Sequence, residues 1–182
     1  MEFEQTSIPG LIILTPKVIG DERGFFMETF HADLFASQGI SGPFVQDNHS
    51  ASQQDTLRGL HYQIRQAQGK LVRAVAGEIY DVAVDLRRGS KTLGYWMGTV
   101  LSTKNKKQIW IPAGFAHGFY VLSEYAEVVY KLTDYYAPEW ERILHWNDPA
   151  LGIEWPLLHG HSPILSIKDS QGTAFSQAEL FD

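Results

Sequence analysis

The run YDVAVDL, residues 80–86, alternates with a period of two. In an extended chain Tyr80, Val82, Val84 and Leu86 share one face, and Asp81, Ala83 and Asp85 share the other. The pattern predicts a strand with one buried face. Runs of similar character fill most of the chain: GLIILTPKVI, GFFMETF, FVQDNHSAS, LRGLHYQ, KLVRAVAG, EIYDVAVDL, GYWMGTVLS, KQIWIPAG, HGFYVLS and AEVVYKLTDYY. Gly, Pro, Asn, Asp and Ser separate them at intervals of roughly 8–12 residues, the spacing of an all-β sandwich or barrel. Such a chain must manage its sheet edges, and barrel or double-sheet closure does so. Before residue 138 the one clear helical candidate is HADLFASQG, which ends on a glycine suited to cap it. From Pro138 onward the mixture of Trp, Pro and Gly predicts irregular structure packed on the sheet.

The 182 residues fit one domain, residues 1–182, with no repeat or linker to divide it. There is no cysteine, which excludes disulfides, thiolate metal sites and cysteine nucleophiles and suits a reducing cytoplasm. The acidic start MEFEQTSIPGLIIL does not resemble a signal peptide, and no stretch approaches the ~20 apolar residues of a membrane span. A net charge of −6 and a pI of about 5.6 argue against nucleic-acid binding. An anionic ligand would need a local cluster of Arg and Lys.

Several polar residues interrupt the strand pattern. In LRGLHYQ, strict alternation puts Leu57, Gly59, His61 and Gln63 on one face and Arg58, Leu60 and Tyr62 on the other. His61 has three readings: a structural histidine bonded to backbone, a metal ligand, or a general base. Metal-binding cupin barrels use two histidines one residue apart, a nearby Glu and a later histidine. Here the partner position is Gln63, and His117 is the one later candidate, too few ligands for a stable site. As a base, His61 would need an orienting carboxylate that spacing alone does not supply. Pro112, Gly114 and His117 form a P-x-G-x-x-H string typical of a cupin turn, or of a simple turn with a buried histidine. Tyr130 shares a face with Val128 and Leu132, as a core aromatic or as a proton donor. Arg23, Glu28, Lys70, Lys168 and Asp169, each taken alone, read as surface charges.

Taken together, DERGFFMETF, FVQDNHS, LRGLHYQ, AQGKLVRAVAGEIYDVAVDLR, the long run from NKKQIWIPAG to YYAPEWE, WNDP and LSIKD resemble the dTDP-4-dehydrorhamnose 3,5-epimerase family. The resemblance extends from about Ile8 to Gly172. It departs mildly at Ile64-Arg65, where a proline is common. It implies an all-β, cupin-type jelly roll with a few short helices, in a homodimer that exchanges N-terminal strands. It also implies a dTDP-sugar substrate, with no metal and no cofactor. By position, His61 resembles the family's base, Asp169 its paired carboxylate, Tyr130 the acid, and Lys70 the residue facing the C4 oxygen. Arg23, Glu28, Gln46, Asp47, Asn48, Arg58, Lys70, His117, Glu141 and Lys168 fall at substrate-contact positions.

The implied reaction inverts C3 and C5 of a 4-keto-6-deoxy sugar. Both carbons flank one ketone, so loss of either proton leaves an enolate with charge on the C4 oxygen. A cation aimed there stabilises that charge as it forms. Inversion requires one group to take the proton and another to return it on the opposite face. Arg23, Arg58 and Lys168 are expected to gather at the pyrophosphate, with Phe25 or Phe26 on the thymine. Because Arg58 and His61 must both reach the substrate, a bulge or bend is expected at Gly59. Alternatives on the same scaffold are a 3- or 5-only epimerase, a ketoisomerase, a non-catalytic sugar-binding cupin and a metal-dependent oxygenase.

Overall fold

The computed structural model describes residues 1–40 and 42–182, apart from the side chain of His159. In chain order the strands are β1 (Glu2–Gln5), β2 (Ile12–Thr15), β3 (Val18–Asp21), β4 (Gly24–Met27), β5 (Gln46–Gln53), β6 (Leu57–Gln63), β7 (Lys70–Ala76), β8 (Glu78–Asp85), β9 (Trp96–Ser102), β10 (Gln108–Ile111), β11 (Phe115–Val121), β12 (Tyr125–Leu132) and β13 (Glu141–Ile143). Two short helices, α1 (Ala32–Ser37) and α2 (Ile167–Ser170), complete the regular structure together with single 3₁₀ turns. One sheet runs β1-β2-β10-β7-β12-β5 and a second runs β13-β6-β11-β8-β9, while β3 and β4 form a separate hairpin. The strands of each sheet are antiparallel, and the chain crosses repeatedly between the two sheets. This is the expected jelly roll.

Burial divides the molecule into three apolar zones. Between the sheets, Ile13, Val72, Ile109 and Val128 of the first meet Ile79, Ala83, Phe115, Phe119 and Val121 of the second. The outer face of the second sheet, with Leu60, Tyr62, Val82, Val84 and Leu86, is covered by the C-terminal segment through Leu144, Leu151, Trp155 and Phe181. On the first sheet, Ile12, Leu14, Leu71 and Trp110 are covered by Phe35 of α1 together with Phe3, Phe30 and Phe44. Helix α1 is the one that HADLFASQG predicts, and Gly39 follows its end with φ +80°. The tail from Pro138 is irregular as expected, but it also contributes β13 at the edge of the second sheet and α2.

Strand β8 departs from the expected single buried face. Asp81 and Asp85 are as buried as the valines between them, both at 0% exposure. Their face points away from the C-terminal segment; Asp81 meets His117 through Oδ2 while its Oδ1 has no hydrogen-bond partner among the described residues, and specific partners compensate the charge of Asp85. Asp85 accepts from Arg87 Nε (2.8 Å) and Nη2 (2.7 Å), Ser90 Oγ (2.6 Å) and Thr92 Oγ1 (2.7 Å). Burial pushes this carboxyl up, and those donors reverse the effect and hold it at about 2.

Strand β6 is bulged where expected. His117 of β11 pairs with His61, but Phe119 pairs with Arg58, so β6 holds one residue more than β11 over the same interval. Gly59 has φ +123°, and a Cβ there would lie 2.5 Å from the Gly118 Cα. The extra residue lets Leu60 and Tyr62 pack outward while Arg58 and His61 both face the space between the sheets.

Candidate active site

The interlayer space is apolar over much of its extent and polar around β5, β6 and β7. Two adjoining cavities occupy the polar part. One, of ≈ 110 Å³, is lined by Gln46, Asn48, His61, Gln63, Gln68, Lys70, Tyr130, Tyr136 and Glu141, among others. The second, of ≈ 130 Å³, is lined by Ser50, Arg58, His61, Lys70, His117, Gly118, Phe119 and Tyr130. His61, Lys70 and Tyr130 line both, so they stand at the junction. They reach it from β6, the start of β7 and the middle of β12.

His61 Nε2 lies 2.5 Å from Asp169 Oδ1. Asp169 is 4% exposed. Burial pushes its carboxyl up, but the bonds from His61, Ser166 and Gly59 outweigh that and hold it below its usual range. Ser166 caps α2 and donates to Oδ2 at 2.7 Å. The Gly59 amide at the bulge donates to Oδ1 at 3.4 Å. The ionised carboxylate accepts a hydrogen bond from Nε2–H, which leaves Nδ1 of His61 as the nitrogen able to accept a proton.

Lys70 is 8% exposed, and its Nζ donates to the His61 carbonyl at 3.2 Å. Burial pushes the ammonium down to about 8, against the pull of Asp81 and Glu141. His117 is also buried, and its Nε2 lies 2.9 Å from Asp81 Oδ2. Burial pushes the imidazole down despite Asp81, and the nearby Lys70 and His61 add to the effect. Burial thus favours the neutral form of His117, and Asp81 orients it.

Arg58 is anchored on β5, donating from Nε to Ser52 Oγ (2.9 Å) and from Nη2 to the Ala51 carbonyl (3.2 Å). Gln46 Nε2 donates to Asn48 Oδ1 at 2.9 Å, and Gln46 Oε1 accepts the Tyr136 amide at 2.9 Å. Glu141 accepts from Lys168 Nζ and, at 2.9 Å, from the Tyr136 hydroxyl. Gln63, at the position of a cupin metal ligand, is fully used by backbone. It donates to the Gln66 and Tyr135 carbonyls at 2.8 and 3.2 Å and accepts the Ala137 amide at 2.9 Å. It thereby shapes the loop that carries Tyr136. Among the described residues no group of three or more His, Asp or Glu is placed to hold a metal ion.

Most of the residues singled out from the sequence meet here: Gln46, Asn48, Arg58, His61, Lys70, His117, Tyr130 and Glu141 line the cavities, Asp169 backs His61, and Lys168 is bonded to Glu141. Three do not. Asp47 turns to the outer face of its sheet, where it pairs with Lys131 at 3.0 Å beside a concavity of ≈ 350 Å³. Arg23 pairs with Asp21 in a surface cleft of the β3–β4 hairpin, with Phe25 and Phe26. Glu28, exposed just beyond that hairpin, lines neither cavity. The cluster expected from Arg23, Arg58 and Lys168 is not formed within one chain: Arg58 lines the second cavity, Lys168 is paired with Glu141 beside the first, and Arg23 is on the hairpin. The sequence reading missed Tyr136, Gln68, Ser50 and Asp81. The exposed Tyr136 ring had a usable signal, in that an aromatic pair follows a turn directly after the Tyr130 strand.

A sequence model of the dTDP-4-dehydrorhamnose 3,5-epimerase family matches residues 5–177. The chain is 59% identical over 182 residues to the dTDP-4-dehydrorhamnose 3,5-epimerase of Pseudomonas aeruginosa, covering 100% of this chain and 99% of that one. The crystal structure of a dTDP-6-deoxy-D-glucose-3,5-epimerase from Legionella pneumophila, in complex with dTDP-4-keto-L-rhamnose, superposes with a TM-score of 0.94 at 53% identity, covering 98% of this chain and 94% of that one. A 3′-monoepimerase from Streptomyces bikiniensis, in complex with dTDP-quinovose, has a TM-score of 0.86 at 33% identity, covering 94% and 86%. The chain belongs to the dTDP-4-dehydrorhamnose 3,5-epimerase family.

Proposed function

We propose that the protein converts dTDP-4-dehydro-6-deoxy-D-glucose to dTDP-4-dehydro-L-rhamnose by epimerising C3 and C5, with His61 as base, Tyr130 as acid and Lys70 facing the C4 oxygen. The observation that carries this reading is that these three side chains, from three strands, line both cavities. Asp169 fixes the imidazole tautomer and stabilises the imidazolium once Nδ1 has taken the proton. The buried ammonium of Lys70 meets the enolate oxygen in a low-dielectric site, where its effect is larger than in water. Tyr130 returns a proton to the other face of the ring. The double inversion leaves the substrate's oxidation level unchanged, so these side chains can carry it without a redox cofactor.

The nucleotide lies toward Tyr136 and Lys168, where a half-exposed aromatic ring and a cation flank the smaller cavity. Two copies assemble with their β3–β4 hairpins exchanged. Supporting this, Val18, Ile19, Phe25 and Phe26 of the hairpin are exposed, and Arg23 and Glu28 line neither cavity of their own chain. The exchange would deliver those two residues, with Phe25 and Phe26, to the nucleotide of the second copy. Reaction in the cytoplasm is consistent with the lack of cysteine. Among the described residues no helix is long and apolar enough to cross a membrane.

Incubation with dTDP-4-dehydro-6-deoxy-D-glucose in heavy water tests the reading. Deuterium at both C3 and C5 of an inverted product supports it. Label at one carbon selects the single-site alternative, which the monoepimerase on the same fold keeps in view. No exchange by a folded protein leaves a binding module.

A further inference from the structure

Strand β5 sends Gln46, Asn48, Ser50 and Ser52 to one face, two residues apart. Three of the four are engaged. Gln46 and Asn48 bond each other, and Ser52 accepts from Arg58. Ser50 Oγ is buried and has no hydrogen-bond partner among the described residues. Its side chain lines the second cavity with Arg58, His61, Lys70, His117 and Tyr130. In register it stands opposite Val128, two residues from Tyr130 on β12.

A buried hydroxyl without a partner is a net cost to the fold, and alanine at the same place would avoid it. Such a group makes physical sense where a ligand supplies the missing partner. We propose that Ser50 contacts the sugar, bonding a ring hydroxyl next to the ketone and so fixing how C3 and C5 are presented to His61. The inference rests on the epimerase reading for its reaction but not for its contact.

The chemistry of the neighbours narrows the partner. Arg58 suits phosphate oxygens, and Lys70 suits the developing charge at C4. An uncharged hydroxyl, able both to donate and to accept by rotating, suits a sugar hydroxyl. The C3 hydroxyl changes direction when C3 inverts, and a rotor can follow that change where a fixed donor cannot.

Ser50→Ala tests the proposal with three readings: thermal midpoint, affinities for dTDP and for dTDP-rhamnose, and the C3-to-C5 deuterium ratio in heavy water. The expected result is an unchanged or higher midpoint, unchanged dTDP affinity, and dTDP-rhamnose binding weaker by about five- to tenfold, the scale of one hydrogen bond. The label ratio shifts away from that of the parent protein. A variant that binds dTDP-rhamnose as tightly as the parent overturns the proposal. So does one that loses dTDP and dTDP-rhamnose affinity equally, or whose midpoint falls with both, because Ser50 would then be structural. If the parent protein itself exchanges no deuterium, the epimerase reading fails, and the two affinities still decide whether Ser50 touches the sugar.

Discussion

His61 Nε2 and Asp169 Oδ1 are 2.5 Å apart, although 108 residues of chain separate them. The contact depends on two local devices. The bulge at Gly59 turns His61 inward and provides an amide for Asp169, and Ser166 holds the carboxylate's second oxygen. Asp169→Asn keeps the shape but removes the charge that stabilises the imidazolium. Its kcat should fall by about 10²–10⁴, with little change in dTDP affinity by calorimetry. A kcat within threefold of the parent would remove Asp169 from the mechanism.

Gly59→Ala should unfold the site before it affects anything else. The φ of +123° disfavours any side chain, and the added Cβ would lie 2.5 Å from Gly118 Cα and 2.7 Å from the His117 carbonyl. The backbone conformation alone costs about 1–3 kcal/mol, and the clash with main chain adds to it. A thermal midpoint equal to the parent's would show that the bulge tolerates a side chain.

Lys70 couples activity and stability to pH with opposite signs. Its folded value of about 8 lies below the usual 10.5. Between those values the unfolded chain binds more protons than the folded one, so stability rises with pH through that window. The penalty is fully present below pH 8, on the order of 3 kcal/mol. Lys70→Met should therefore raise the midpoint at pH 7 while abolishing turnover. In the parent, kcat/KM should decline above pH 8 as the ammonium is lost. A destabilised methionine variant would show that the ammonium contributes to the fold.

Asp85 predicts an acid limit. Its folded value of about 2 lies below the unfolded one, so its contribution is complete above pH 4 and is lost as pH falls through 2. Asp85→Asn should lower the midpoint at pH 7, and the difference from the parent should vanish near pH 2. A constant difference across that range would assign the effect to packing.

The alternation of YDVAVDL and its relatives, with turn residues between them, was enough to read an all-β sandwich or barrel, because burial of one face imposes period two; the jelly roll followed from the family resemblance. The alternation could not show that the acidic face of β8 is also buried. That depends on His117, Arg87, Ser90 and Thr92, whose positions are set by pairing and turns rather than by β8 itself. The bulge was legible because Arg58 and His61 could not otherwise share a side. The hydrogen-bonding roles of Gln63 and Ser50 were not, since donors and acceptors from distant loops determine whether a polar group is satisfied. Asp47 turns outward while its neighbours Gln46 and Asn48 line the cavity, as alternation along β5 requires.

The central claim is that two different groups serve the two faces of one ring. Tyr130→Phe, incubated with dTDP-4-dehydro-6-deoxy-D-glucose in heavy water and followed by NMR, tests it directly. His61 can still remove a proton and return a deuteron from its own side, so label should enter with the original configuration retained and inverted product should be lost. Inverted, labelled product formed at the parent's rate would contradict the account.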